Sequence, residues 1–284
     1  MNLHSSYIYR KVVDRGMAVV CMLFFAIAFV PLLSVLWLVI SKGAAGLSWD
    51  FFTQLPQPVG EVGGGVGNAL IGTLFMVGLA CLIGLPLGVG AGVFLAEKGD
   101  GTIGNAVRFM AEVLSGVPSI VVGIVAYALV VLPMGHFSAL AGGVALAILM
   151  IPALARSTEE LVRLVPGSLR EASLALGVPN WRTSVRVILR TAMSGIVTAC
   201  LLAVARAAGE TAPLLFTALN NQYWNVDPRA PTASLTVAIF NYAISPYDDW
   251  HAKAWTAALV LLIVVGLLNI VSRVATRSRL KGAR

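Results

Sequence analysis

Charge is what this chain has least of. Only 12% of its 284 residues are Asp, Glu, Lys or Arg, about half the share of an ordinary soluble domain. Hydrophobic residues make up 58%, and the mean hydropathy is +0.87. A water-soluble enzyme of this size needs far more polar surface, and a disordered or collagen-like chain needs a different composition altogether. Cysteine and histidine are sparse too. Cys21, Cys81 and Cys200 each lie in an apolar stretch, and neither they nor His4, His136 and His251 stand at metal-ligand spacing. A disulfide scaffold and a metal centre are therefore not expected. Also missing is the phosphate-cradling pattern Gly-x4-Gly-Lys-Ser/Thr. The run Gly88-Val89-Gly90-Ala91-Gly92 is no substitute, because it follows no strand and lacks the Lys-Ser/Thr ending. The chain is not expected to bind a nucleotide or cofactor of its own.

What is present is long apolar sequence. A helix needs ~20 apolar residues to cross ~30 Å of hydrocarbon. Six stretches qualify: residues 17–40, 67–96, 109–132, 137–155, 193–219 and 254–275. The first has a basic flank like a signal peptide, but its apolar core exceeds the ~7–15 residues of a cleaved one, so it reads as an uncleaved first span. The basic residues then set orientation. Sixteen lie in the two tails and the loops after spans two and four, against Lys42, Arg229 and Lys253 on the other side. Both termini are expected in the cytoplasm. The net charge of +7 is thus a topology signal, and no aromatic-interleaved basic patch points to nucleic acid. Trp49, Tyr223, Trp224, Tyr247, Trp250 and Trp255 fall in the outer loops, where amphipathic rings sit at the headgroup level. Residues 233–244 read as a short helix lying on the membrane. No internal repeat is detectable.

Span two carries Gly84, Gly88 and Gly92, a spacing that lines one helix face and lets another helix approach closely. Pro86 in the same span predicts a kink. Near span three, Glu112 has two readings, an ordinary pair with Arg108 one turn earlier, which is favoured, and a place at the pore entrance.

Residues 156–190 form a structured loop between spans four and five. Ser157 with Glu160 and Ser168 with Glu171 fit capping boxes. Pro166-Gly167 separates two helices, Gly177 stops the second with Pro179 following, and Asn180 is placed to cap a third. The small, apolar face around Leu169–Leu176 calls for a partner groove or for packing on the chain's own loop.

The twentieth basic residue, Arg206, lies inside span five, where an arginine costs about 2.5 kcal/mol or more on insertion scales. It shares a helix face with Glu210 four residues on. One reading is a structural ion pair between helices. The other is an anion site on a translocation pathway, because the planar guanidinium fork matches phosphate oxygens bidentately and keeps its charge. Glu210 then orients Arg206 and partly neutralises it when the site is empty. Gly209 and Pro213 are placed to loosen the helix locally.

Glu171-Ala172-Ser173, with Gly177 four residues on, resembles the EAA loop of ABC-importer permeases, although Ser173 and Arg190 stand where that family usually has Ala and Pro. Ala205-Arg206-Ala207-Ala208-Gly209-Glu210 is similar to a signature of oxyanion permeases. Its extension through Thr211-Ala212-Pro213 to Ala218, together with Val117-Pro118-Ser119-Ile120-Val121-Val122-Gly123 at the start of span three, resembles the PstA-type permeases of phosphate importers. The resemblance covers nearly the whole chain. It implies an all-α membrane protein of six transmembrane helices with a type I importer permease core at 67–275. The six-span unit covers 17–275, and cytoplasmic tails lie at 1–16 and 276–284. It further implies that Glu171, Ala172, Ser173 and Gly177 belong to a coupling loop at 156–190 that docks into an ATPase, and that Arg206, Glu210 and Thr211 belong to the substrate pathway. The partners it implies are a second homologous permease subunit, an ATPase dimer that binds ATP and Mg, a periplasmic phosphate-binding protein and membrane lipid. A permease for sulfate or molybdate and an ion-driven secondary transporter are the competing readings; the latter predicts uptake without an ATPase and usually inverted repeats.

Overall fold

The computed structural model describes residues 3–61 and 63–281, with side chains for 9–61 and 63–271. The basic side chains of the C-terminal tail, from Arg273 to Arg284, lie outside the described residues. Among the described residues every regular element is helical. Five helices are long and apolar enough to span a membrane, and one bent pair adds a sixth segment. The expected six-segment helical membrane fold is therefore found.

Helix α1, Leu3–Gly43, is continuous despite Pro31. None of its apolar window is buried within this chain. It is seated near its end, where a Cβ on Gly43 would come within 2.6 Å of the Trp255 carbonyl oxygen on the last helix. Helix α2, Trp49–Thr53, is capped by Ser48, whose hydroxyl accepts from the Phe51 amide at 3.2 Å. Helix α3, Gly67–Lys98, runs unbroken through Pro86.

Span three is not one helix. Helix α4, Thr102–Gly116, meets α5, Ser119–Met134, at 108°. The corner is built by Val117 and Pro118, both extended, with ψ of 131° and 137°. A residue before proline is pushed out of the helical region, and that outweighs the apolar run that suggested a straight span over 109–132. Helix α6, Ala139–Arg163, starts on Ser138, which accepts from the Ala141 amide at 3.1 Å.

Helix α6 continues well past residue 155, which buries the expected first capping box mid-helix: Ser157 is an interior residue of α6. The second box does not form either. The loop helix α7, Gly167–Ala175, is preceded by Pro166 with no side-chain cap, since a proline-fixed entry leaves Ser168 already inside the helix. Asn180 is likewise the first helical residue of α8, Asn180–Ala208, behind Pro179, and does not cap it with its side chain. Gly177 stops α7 as expected, at φ +76°, a left-handed conformation that glycine adopts at no steric cost. Its amide donates to the Leu174 carbonyl at 2.9 Å, and the Val178 amide donates to that of Ser173 at 3.2 Å.

Three helices complete the chain: α9, Ala212–Thr217, α10, Leu235–Ala243, and α11, Asp248–Lys281. Helix α10 is the short helix expected over 233–244, and it packs into the bundle. It buries Leu235 and Tyr242 against α3 and α11, and Val237 in the central core.

The core is the α3–α6 contact. A Cβ on Gly88 would stand 2.6 Å from Leu154 Cβ, and one on Gly92 would stand 2.5 Å from Thr158 Cβ. The glycine stripe is therefore a helix-packing face, as its spacing suggested. Met76, Leu146, Met150, Leu154 and Leu214 fill the centre. The loop from α9 to α10 is pinned by amides: Asn68 Nδ2 donates to the Asn221 carbonyl at 2.6 Å, and Asn225 Nδ2 donates to Thr232 Oγ1 at 2.8 Å.

Candidate functional site

The break in span five is local chemistry. Pro213, the second residue of α9, has no N–H to give the carbonyl four residues back, and its ring collides with that carbonyl in a continuous helix. That residue is Gly209, and the chain departs from the helix there: α8 ends at Ala208 and α9 begins at Ala212. The expected loosening is thus a full interruption. Thr236 of α10 supports it, donating its hydroxyl to the Glu210 carbonyl at 2.9 Å while only 3% exposed.

Interrupted backbone at membrane depth is tolerated where it is buried in protein or lines a cavity. Here it lines one. A groove of about 860 Å³ is bounded by Arg206, Glu210, Thr211, Thr236 and Asn269 among apolar residues of α10 and α11. Arg206 also borders a second groove, of about 530 Å³, between α6 and α8. Within this subunit the Arg206 side chain is 75% exposed and stands 3.8 Å from Glu210, whose side chain is 19% exposed. The ion pair exists, but its length is beyond a hydrogen bond. Leaving the helix moves Glu210 off the ideal i,i+4 position, so the fork of Arg206 stays presented to the grooves.

The two sequence motifs of spans three and five touch. A Cβ on Gly123 of α5 would lie 2.7 Å from Pro213 Cα. The start of α5 therefore packs directly on the break, which explains why a glycine stands at Gly123.

At the far end of the bundle Arg108 and Arg170 are each engaged by a carboxylate. Arg108 does not pair with Glu112, which is exposed. It reaches across to α6, donating from Nε to Glu159 at 2.7 Å, and also to the carbonyls of Gly99 at 2.9 Å and Leu95 at 3.1 Å. A partner one turn away offers one acceptor group, whereas the α3–α6 corner offers a carboxylate and helix-end carbonyls together. Glu159 also pairs with Arg163 at 3.0 Å.

In the loop, Glu171, Ala172 and Gly177 are exposed side by side with Leu174 and Leu176, the latter 83% exposed. Ser173 faces the other way. It is buried and shares a hydrogen bond with Thr183 of α8 at 2.9 Å. Arg170 bonds Glu97, at the end of α3, with both terminal nitrogens, one at 2.8 Å; that bond raises the guanidinium above its ordinary value. Glu97, Glu159 and Thr236 were not legible as functional in the sequence. Glu97 beside Lys98 reads as a solvated helix end, and Thr236 carries no local signal.

Residues 88–278 match the family described as binding-protein-dependent transport system inner membrane component. The chain is 46% identical over 244 residues to the phosphate transport system permease protein PstA of Yersinia pestis, covering 86% of this chain and 83% of that one. It is 43% identical over 273 residues to the protein of the same name in Haemophilus influenzae, covering 96% of each. In fold it resembles a chain of a bacterial ABC transporter involved in the import of the acidic polysaccharide alginate, with a TM-score of 0.60 at 13% identity, covering 96% of this chain and 98% of that one. It also resembles a chain of the inward-facing MetNI methionine ABC transporter, with a TM-score of 0.58 at 22% identity, covering 75% of this chain and 93% of that one. The chain belongs to the binding-protein-dependent transport system inner membrane components, within the PstA group of phosphate transport system permeases.

Proposed function

We propose that this chain is one of two related membrane subunits of an ATP-driven phosphate importer, and that the anion passes Arg206 on its way through. The chain itself is a multi-pass inner-membrane transport subunit, and ATP is hydrolysed by a partner subunit. One observation supports the passage at Arg206 above all. Span five is interrupted beside the only basic residue of its interior, and the interruption opens onto a groove in which the guanidinium is largely exposed.

The chemistry follows from the loose pair. A phosphate dianion offers two oxygens to the guanidinium fork and displaces a carboxylate that holds it only at 3.8 Å. Glu210 then keeps the fork aimed and partly neutral between passages. Thr211 lines the same groove and offers a hydroxyl to an oxyanion. The positive-inside bias assigns both tails, 1–16 and 276–284, to the cytoplasm, and with them the loop 156–190. The exposed face of α7 docks on an ATPase dimer that holds ATP and Mg; this chain needs no cofactor. Closure of that dimer drags α7 and rocks the spans of 67–275 between inward-open and outward-open, while a periplasmic binding protein delivers phosphate from the other side. A second permease subunit completes the pathway wall.

Arg206→Gln is the direct test, in cells where the complex still co-purifies. Loss of a charge-assisted bidentate contact predicts phosphate uptake about 100-fold lower; near-normal uptake removes Arg206 from the pathway. Excess sulfate leaving uptake unchanged separates phosphate from the other oxyanions. Leu176→Asp tests docking, because association with the ATPase should fall sharply in a pull-down, and undiminished association sinks that assignment.

A further inference from the structure

We propose that Glu97 is a positioning residue, a single carboxylate that bolts the loop helix α7 to the ends of α3 and α8 so that the three move as one body. The inference rests on the coupling role proposed above for α7.

Two consecutive elements, α7 and α8, meet α3 on this one side chain, 73 and 87 residues away in sequence. Arg170 of α7 gives it two hydrogen bonds, and the Ser184 hydroxyl at the base of α8 gives it a third at 2.6 Å. Glu97 is well shielded, with its side chain 12% exposed, so water competes poorly for these bonds. The chain itself holds α7 weakly. Before it lie Leu164, Val165 and Pro166, with Leu164 77% exposed; after it come the left-handed Gly177 and then Val178 and Pro179. Two short connections, the second closed by the Val178 amide on the Ser173 carbonyl at 3.2 Å, join α7 to α6 and α8. What fixes α7 against the bundle is side-chain bonding: the Glu97 clamp and the buried Ser173–Thr183 pair.

The clamp also selects where a push goes. Helix α8 runs from Ser184, through a π-helical turn over Ser184–Ile188, on to Ala208, two residues past Arg206. Helix α3 is packed backbone-close on α6 along the Gly88–Gly92 face. A displacement of the exposed α7 face therefore passes through Glu97 into the helix that carries Arg206 and into the helix pair that forms the core. Without the clamp α7 pivots on its connections, and the ATPase turns over while the spans follow poorly.

The test uses the complete transporter in proteoliposomes, with phosphate moved and ATP hydrolysed measured together. For Glu97→Ala the expected result is a fall of about tenfold in phosphate moved per ATP, with hydrolysis within about twofold of wild type. The charge exchange Glu97→Arg with Arg170→Glu should restore most of that ratio. A wild-type ratio in assembled Glu97→Ala overturns the proposal, as does an assembled exchange variant that restores nothing. Should Glu97→Ala not assemble, Ser184→Ala removes one bond only and should lower the ratio about twofold; no change there overturns the proposal too. A wild-type complex that hydrolyses ATP and moves sulfate or molybdate in place of phosphate overturns the substrate reading alone, and the ratio is then measured with that anion.

Discussion

Arg108 and Arg170 sit at one end of the bundle and Arg206 in its middle, and they differ in what is left over. Arg108 spends its donors on Glu159, Asn105 and two carbonyls. Arg170 spends its fork on Glu97. Arg206 has a carboxylate at 3.8 Å and an open side chain. A saturated guanidinium is a fastener, because every donor bond resists displacement. A guanidinium kept apart from its neutralising partner is available to a passing anion. In the proposed importer the same residue type would build rigidity where force enters and leave capacity where the anion is recognised.

This contrast can be broken in order of effect. The largest change is expected at the open site: beyond the loss predicted for Arg206→Gln, Arg206→Lys keeps the charge and removes the fork, so uptake should recover only partly, to about tenfold below wild type. Full activity in the lysine variant would mean that charge alone suffices. Next comes Gly123→Val, which drives a side chain into Pro213 at the base of the same site. Overpacking of this kind costs about 1–3 kcal/mol, read as a lowered unfolding midpoint of the purified complex; an unshifted midpoint would show that α5 yields there. At the saturated end, Glu159→Gln leaves Arg108 and Arg163 without their carboxylate. Because Arg108 is a quarter exposed, water recovers part of the loss, and the expected cost is about 1–2 kcal/mol, with uptake per folded complex retained. A collapse of uptake without destabilisation would move Glu159 from fastener to pathway. Smallest is Gly177→Ala, which strains a left-handed turn by about 1 kcal/mol. It should weaken ATPase association slightly, and an outright loss would mean that the turn touches the partner.

Much of this was readable from residue order, and the gaps have physical causes. The stripe of Gly84, Gly88 and Gly92, the left-handed stop at Gly177 and the pairing of Arg206 with Glu210 are short-range patterns, and each is present in the structure. The straight third span was misread because hydropathy reports solubility in lipid and is blind to direction; only the backbone preference of Val117 before Pro118 turns the chain. The expected capping boxes failed because Ser157 is carried inside a longer helix and Pro166 had already fixed the entry to α7. Arg108 passed over Glu112 for a carboxylate 51 residues away, a choice no local spacing encodes.

Residue order alone determined that this chain lives in a membrane, where its loop helix stops and which arginine is out of place, since those follow from apolar length, glycine and proline stereochemistry and the cost of desolvating a charge. Folding in three dimensions decided which arginines are consumed and which is left open, that Gly123 meets Pro213, and that Glu97 gathers α3, α7 and α8. Those outcomes depend on where acceptors lie after distant helices pack, and a carboxylate far along the chain competes on equal terms with a neighbour once the core has brought it close.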